Sequence, residues 1–581
     1  MLQKYVFIRR KIRINTYCII IPYAIDLLTN FNKYSTMNKL TCTLLAFFLL
    51  SAPLLFSQDI LWEKTYGGKH AEYLYDAIPT PDYGFILAGS SVSGRNGNKD
   101  EKNNGDLDYF IWKMDEHGNL DWQKSIGGNK MDVLQSIALT GDGGFILGGT
   151  SNSDKGLDKT SVCLGEEDFW VIKLDAKGGE MWQKTIGGSG MEKLLSIAQT
   201  KDGGYILGGT SSSNKSDSNL KGNLNLEEKT EDSRGNLDYW VLKLKSDGKV
   251  EWQKTLGGKY VDELKAIQQT KDGGYILGGY SNSPVSGDRT APHYGQGDYW
   301  IVKLDKDGVE EWQSSYGGDK NDNLFAMNQT QDEGFIVGGN SNSGSTNTKS
   351  KTNKKGTDFW VLKLNEIGNI EWQETYNYGE KDILNSIVEN EDGTFLIGGY
   401  ALSEVSNLKN SKASLGKGLK GDKEGINDYI ALKIDKEGKE IWTQIVGSNG
   451  DEVMKKLLET RDGGYLLAGT SNGKVSRDKN TAKGGNDFWV VKLKDKEKKE
   501  KGRINLEAVP NPTEYYSNVI INFKYKKGTA TLYDLSGKQI YATQIRGERT
   551  IPMELTYLPS GIYIVEIKTD TKEGGVKIIK K

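Results

Sequence analysis

The chain has 581 residues, with 71 Gly, 10 Pro, 10% aromatic residues and a formal net charge of −2. That length accommodates two or more domains and a sizeable core. The near-neutral balance gives no overall pull toward nucleic acid or an anionic membrane. Short apolar runs bounded by Gly, rich in Tyr, Trp and Phe, point to an all-β protein.

Residues 1–36 hold a basic-apolar stretch, RRKIRINTYCIIIPYAI, and read as an upstream extension preceding the true start at Met37. Residues 37–58, MNKLTCTLLAFFLLSAPLLFSQ, place a Lys beside Met, then an apolar run from Leu44 to Phe56, then small and polar residues. This is the pattern of a secretory signal peptide, too short to be a membrane span. Cleavage is expected near Ser57 or Gln58, leaving no transmembrane anchor in the mature chain. Cys42 precedes the apolar run and is badly placed for lipid attachment. Cys163 is then the one cysteine left, so no intramolecular disulfide forms and stability must come from core burial.

From residue 59 to 494 the chain repeats. Trp recurs at 62, 122, 182, 252, 312, 372 and 442, at spacings of 60, 60, 70, 60, 60 and 70 residues. A fixed period of this size marks a repeat architecture. In the unit after Trp182, LLSIAQT reads as strand a, Lys201-Asp202-Gly203-Gly204 as a tight turn and YILGGTS as strand b. A polar loop leads to DYWVLKL (Asp238 to Leu244), strand c, and a second turn leads to KVEWQKTLGG, strand d. Four short strands per unit, apolar on both faces, match a β-propeller blade, because stacking blades radially buries both faces. The last unit lacks a strand d, and the mature chain begins with a lone one, ILWEKTY (Ile60 to Tyr66). The expectation is a seven-bladed propeller closed by this N-terminal strand, with residues 59–68 essential to stability.

Three acidic positions recur. Asp108, Asp168, Asp238, Asp298, Asp358, Asp428 and Asp487 open strand c; Asp82, Asp142, Asp202, Asp272, Asp332, Asp392 and Asp462 sit in the a–b turns. Both sets read as turn caps that hydrogen-bond local backbone. The third set enters strand a: Glu72, Asp132, Glu192, Asp262, Asp322, Asp382 and Glu452. With strand a innermost, these seven carboxylates would ring a channel mouth, where oxygen ligands suit a hard cation such as calcium; hydrogen bonding to neighbouring blades is the alternative. Long variable b–c loops, at 211–237 and 401–427, are candidate binding segments or solvated fringes. Their few aromatics, Tyr294 beside His293 among them, argue against both sugar stacking and nucleic-acid binding by these loops. His70, His117 and His293 fall in different units, and no nucleophile elbow, HExxH or P-loop occurs. No catalytic or cofactor-binding residue is assigned. The functional expectation is a non-enzymatic binder of a glycan, matrix component or surface protein. A carboxylate-based polysaccharide hydrolase or lyase and a structural spacer remain alternatives.

The pattern D-Y/F-W-x-x-K-L-D-x-x-G-x-x-x-W-Q, followed by D-G-G-Y/F-I-L-G-G-x-S, resembles the SBBP-type β-propeller repeats of bacterial surface proteins, and the c–d hairpin is similar to that of PQQ-type propellers. After a charged linker, 495–503, residues 504–581 alternate as a small β-sandwich. The order Pro510-Asn511-Pro512, then Leu532-Tyr533-Asp534-Leu535-Ser536-Gly537-Lys538, then Leu558-Pro559-Ser560-Gly561-Ile562-Tyr563 and a basic tail resembles the type A C-terminal sorting domain of the type IX secretion system of Bacteroidetes. The resemblance implies Sec export through the periplasm, engagement of the type IX machinery, and arrival at the outer-membrane surface or outside the cell.

Overall fold

The computed structural model describes residues 58–215, 226–354, 356–402, 426–496 and 505–581. The upstream extension and the leader lie outside these residues, Gln58 excepted, as do most of the charged linker and the middles of the two longest b–c loops. The described residues are all-β, without a helix.

Between Asp59 and Lys494 the strands assemble into seven sheets, each with the hydrogen-bonded order a-b-c-d. The unit read in detail above has its strands at Glu192–Gln199, Tyr205–Ser211, Asp238–Leu244 and Val250–Leu256. Gly203 in its a–b turn has φ 81°, the left-handed conformation that a tight turn needs and Gly adopts without strain. One sheet gains a fifth, parallel strand, Leu226–Glu228, beside Glu180–Gly187. Strand c is buried from its Asp onward over seven residues in every unit, as Asp238–Leu244 and Asp298–Leu304 illustrate. Strand d alternates toward solvent, as an outer edge does. The lone Asp59–Tyr66 strand pairs antiparallel with Asp487–Lys494, from Asp59 opposite Lys494 to Tyr66 opposite Phe488. The sheet of strands 452–459, 465–471 and 487–494 thereby takes its fourth strand from the far end of the repeat region.

Aromatic rings join neighbouring sheets. Tyr109 stacks on Trp170 at 4.9 Å, Phe169 on Trp240 at 4.8 Å, Tyr239 on Trp300 at 4.6 Å and Tyr299 on Trp360 at 4.8 Å. Phe488 of the last unit meets Phe110 of the first at 5.5 Å. One core cluster joins Leu466, Ala468 and Val490 to Leu74, Leu87 and Trp112.

Residues 506–580 form two facing sheets. One contains Leu506–Val509, Tyr516–Ile521 and Thr550–Glu554; the other contains Gln539–Ile545, Gly528–Asp534, Gly561–Thr569 and Glu573–Lys580. They share a core of Val519, Leu532, Ile551, Met553, Val565 and Ile578. The stretch expected as a basic tail is therefore a strand: its alternating Val576 and Ile578 cover the core while Lys577 points outward.

Candidate functional site

The seven carboxylates expected to ring a channel do not meet. All seven are fully buried, and each bonds the backbone N–H four residues before it. Gly68 N donates to Glu72 at 2.8 Å, Gly128 N to Asp132 at 2.7 Å, Gly188 N to Glu192 at 2.8 Å and Gly258 N to Asp262 at 2.7 Å. Gly318 N, Tyr378 N and Ser448 N donate likewise to Asp322, Asp382 and Glu452. A Ser hydroxyl at or just beyond the end of strand b adds a second bond in most units, such as Ser91 to Glu72 and Ser153 to Asp132, at 2.8 and 2.9 Å. The reason is phase. The acid lies two residues before a buried Leu or Met, on the same side of the strand, and that side packs between sheets. Among the described residues no three His, Cys, Asp or Glu side chains are placed to hold a metal ion.

The other acidic sets also act locally. Six of those opening strand c accept a backbone N–H bond from four residues upstream, as Asp108 does from Asn104 and Asp298 from Tyr294, while Asp428 is held by the Arg477 guanidinium. Those in the a–b turns accept from their turn and also pair with a buried strand-c lysine. Lys113 meets Asp82 at 3.1 Å, Lys243 meets Asp202 at 2.8 Å and Lys303 meets Asp272 at 2.9 Å. Sequence reasoning quoted that lysine in the repeat pattern and assigned it no partner.

It also missed a buried cation in the b–c loops: Lys99, Lys159, Lys229, Arg289, Lys349 and Lys479, each at most 1% exposed. Each lies 5.1–6.0 Å from the centroid of a strand-c Phe or Trp ring. Their signal was the repeated basic residue eight or nine positions before the Asp that opens strand c. Burial pulls Lys99 and Lys229 down to about 8 and pushes Asp108 and Asp168 up to about 6. Asp382 and Glu452 rise to about 7 for the same reason.

Of the histidines, His293 Nδ1 lies 3.1 Å from Asp298, and His117 Nε2 lies 3.6 Å from Glu116. The Cys163 thiol is free, and burial pushes it up to about 12. In the C-terminal domain Pro510 O accepts from Ser517, and Asn511 bonds Lys577 O and Ile579 N. The Asn511–Pro512 peptide is cis. Asp534 caps its turn through Ser536 N and Lys538 N, with Gly537 at φ 83° and Pro559 O accepting from Tyr563. Gly561 opens the following strand. These motif residues hold the sandwich together.

One set of equivalent positions breaks the repeat. Every strand a has a register shift, between Leu74 and Asp76 in the first unit and between Met454 and Lys456 in the last. The residues skipped are Tyr75, Gln135, Leu195, Lys265, Phe325, Asn385 and Lys455. A bulge of this kind re-aims a side chain. All seven are half-buried, and they differ in chemistry from unit to unit although the residue before each is Leu in six units and Met in the seventh. Just beyond them the first strands bond one to the next. Asp76 accepts from Ile137 N and Ser136 from Ile197 N; Ser196 bonds Ile267, and Gln268 accepts from Gln329 N. Asn328 then bonds Ile387 O and Ser386 bonds Leu457 O. Lys456 completes the series 3.0 Å from Asp76.

Residues 507–581 match the family described as the secretion system C-terminal sorting domain. The chain thus carries a type IX sorting signal, which directs export to the cell surface or beyond. Among curated proteins it is similar to the regulatory protein FlaEY of Caulobacter vibrioides, 22% identical over 356 residues, or 57% of this chain. The match spans only 36% of that relative's length. Similar solved structures include a protein of unknown function from Bacteroides caccae, 12% identical with TM-score 0.29, covering 62% of this chain and 93% of that one. Sqt1 from Chaetomium thermophilum is 11% identical with TM-score 0.37, covering 77% and 100%. A fungal alcohol oxidase of the AA5 family in complex with copper is 10% identical with TM-score 0.40, covering 90% and 100%. At these scores none of them bears on function. Among the described residues no helix is long and apolar enough to cross a membrane.

Proposed function

We propose that residues 59–494 are a seven-bladed β-propeller closed by the Asp59–Tyr66 strand, and that it serves as a non-enzymatic binding module exported by the type IX route. Its ligand, a glycan, matrix component or surface protein, enters at the inner ring of strand-a bulges. The observation that carries this reading is the variation of Tyr75, Gln135, Leu195, Lys265, Phe325, Asn385 and Lys455 at a bulge that every unit keeps. A ligand without sevenfold symmetry needs unlike groups around it, and a scaffold needs like ones. Two aromatic rings, two amides and two ammonium groups in one ring supply both stacking and hydrogen bonding. The repeated acids support binding over hydrolysis, because they sit at equivalent places and their oxygens already accept backbone N–H bonds.

The test is glycan-array binding by the mature chain, after a cooperative thermal transition has been recorded. Binding to a defined sugar class that is lost in Tyr75→Ala and Phe325→Ala supports the reading. Turnover of a polysaccharide, or binding untouched by both substitutions, refutes it.

A further inference from the structure

Within the inner ring the charges do not balance. Lys265 Nζ lies 2.7 Å from Glu263, and Lys456 Nζ lies 3.0 Å from Asp76. Lys455 has no such partner. Its Nζ sits 5.8 Å from the centroid of the Tyr75 ring, and no carboxylate among the described residues lies within ion-pair distance of it. Lys265 leans the same way in its own unit, its Nζ 5.9 Å from the Phe325 ring. Three ammonium groups therefore face two carboxylates. Both bulge lysines are half-buried, each held against an aromatic face contributed by the next sheet.

An ammonium kept from water without a counter-charge destabilises a fold, whereas an apolar or amide residue would not. The chain uses Leu195, Gln135 and Asn385 at the equivalent positions, so the bulge does not require a cation. We propose that Lys455 and Lys265 form an anion site in the bore, which takes a small oxyanion group, a carboxylate or a phosphate, as the recognition point of the ligand. This rests on the reading of the seven first strands as the wall of a bore. Burial, with the proximity of Lys265, lowers the affinity of Lys455 for its proton. The Tyr75 and Phe325 rings flank the two ammonium groups and suit the ring of an acidic sugar, whose polar edge would meet lysine while its apolar face meets the aromatic.

The experiment uses the full chain in a low-anion buffer. Inorganic phosphate, D-galacturonate and neutral D-galactose are titrated by calorimetry, and the melting temperature is followed in parallel. The expected result is saturable binding of phosphate or galacturonate, none of galactose, and a melt that rises with the anion. The tighter of the two anions identifies its source, a phosphoryl group or an acidic sugar. Lys455→Met should weaken anion binding by about tenfold or more, and Lys455→Arg should keep it within about threefold. Without anion, Lys455→Met should melt above the parent, because it removes an uncompensated charge; a misfolded variant would melt below it. The proposal is overturned if neither anion binds, or if Lys455→Met and Lys265→Met both bind as the parent does. Failure of the underlying reading looks different: removing Asp59–Tyr66 would then leave the cooperative transition of the chain unchanged.

Discussion

Two sets of seven side chains lie three residues apart on the same seven strands. One, Glu72 to Glu452, is acidic in every unit, fully buried and bonded to its own backbone. The other, Tyr75 to Lys455, has almost a different residue in every unit and is half-buried; Lys265 pairs with Glu263, and Asn385 donates to Met454 O. A repeated charge is the more conspicuous feature in the sequence, yet here repetition marks the parts that hold each sheet to itself. The variable set differs from unit to unit, and on the reading proposed above that difference serves a ligand.

The largest expected effect comes from breaking the framework that both sets share. Deleting residues 59–66 strips strand d from the last sheet and exposes the Phe488 and Val490 face. It should cost about 4 kcal/mol or more and abolish a single cooperative melt; a near-normal melt would show that the strand is dispensable. Next, Asp322→Ala should cost about 3 kcal/mol in urea unfolding, because Gly318 N–H and the Ser343 hydroxyl lose their buried acceptor. A change within error would mean that water replaces the carboxylate.

The buried acids that open strand c or enter strand a also predict a pH dependence. Asp108 and Asp168 are raised to about 6, and Asp382 and Glu452 to about 7, chiefly by burial. Above about pH 4 the unfolded chain releases these protons while the folded chain keeps them. Their contribution to stability is therefore greatest at low pH and is lost as pH rises through 6 to 7. The a–b turn acids oppose this. Asp272 is held down to about 2 by hydrogen bonds and by Lys303, outweighing its burial, so its contribution is lost only as pH falls below the ordinary carboxylate range. Melting temperature should fall between about pH 5 and 7.5; a flat or rising profile there would contradict the burial of the acid set. The smallest effect belongs to the variable set. Gln135→Ala should change stability by no more than about 0.5 kcal/mol while weakening ligand capture on the array. A large loss of stability would make that position structural after all.

Much of the architecture was legible because period and alternation are local properties. The strand expected at Asp238 to Leu244 is observed there without adjustment, the Lys201–Gly204 turn is a turn, and the lone ILWEKTY strand pairs where its missing neighbour ends. The sorting motif was legible for the same reason, since it is a linear order of turn residues. The three acidic sets were also visible, but not their roles. A carboxylate that caps its own connection and one that lines a channel look the same in a string of letters.

By itself, the sequence determined the strands, their turns, the repeat count and the C-terminal signal, all of which depend on residues close together in the chain. Only the tertiary structure decided which side each strand-a residue faces. The bulge after Leu74 and its equivalents leaves two adjacent residues, Asp76 and Ala77, both buried, so the period-two rule that assigns faces fails there. That phase slip re-aims Lys265 and Lys455 and sets their ammonium groups against the Phe325 and Tyr75 rings of the neighbouring sheets.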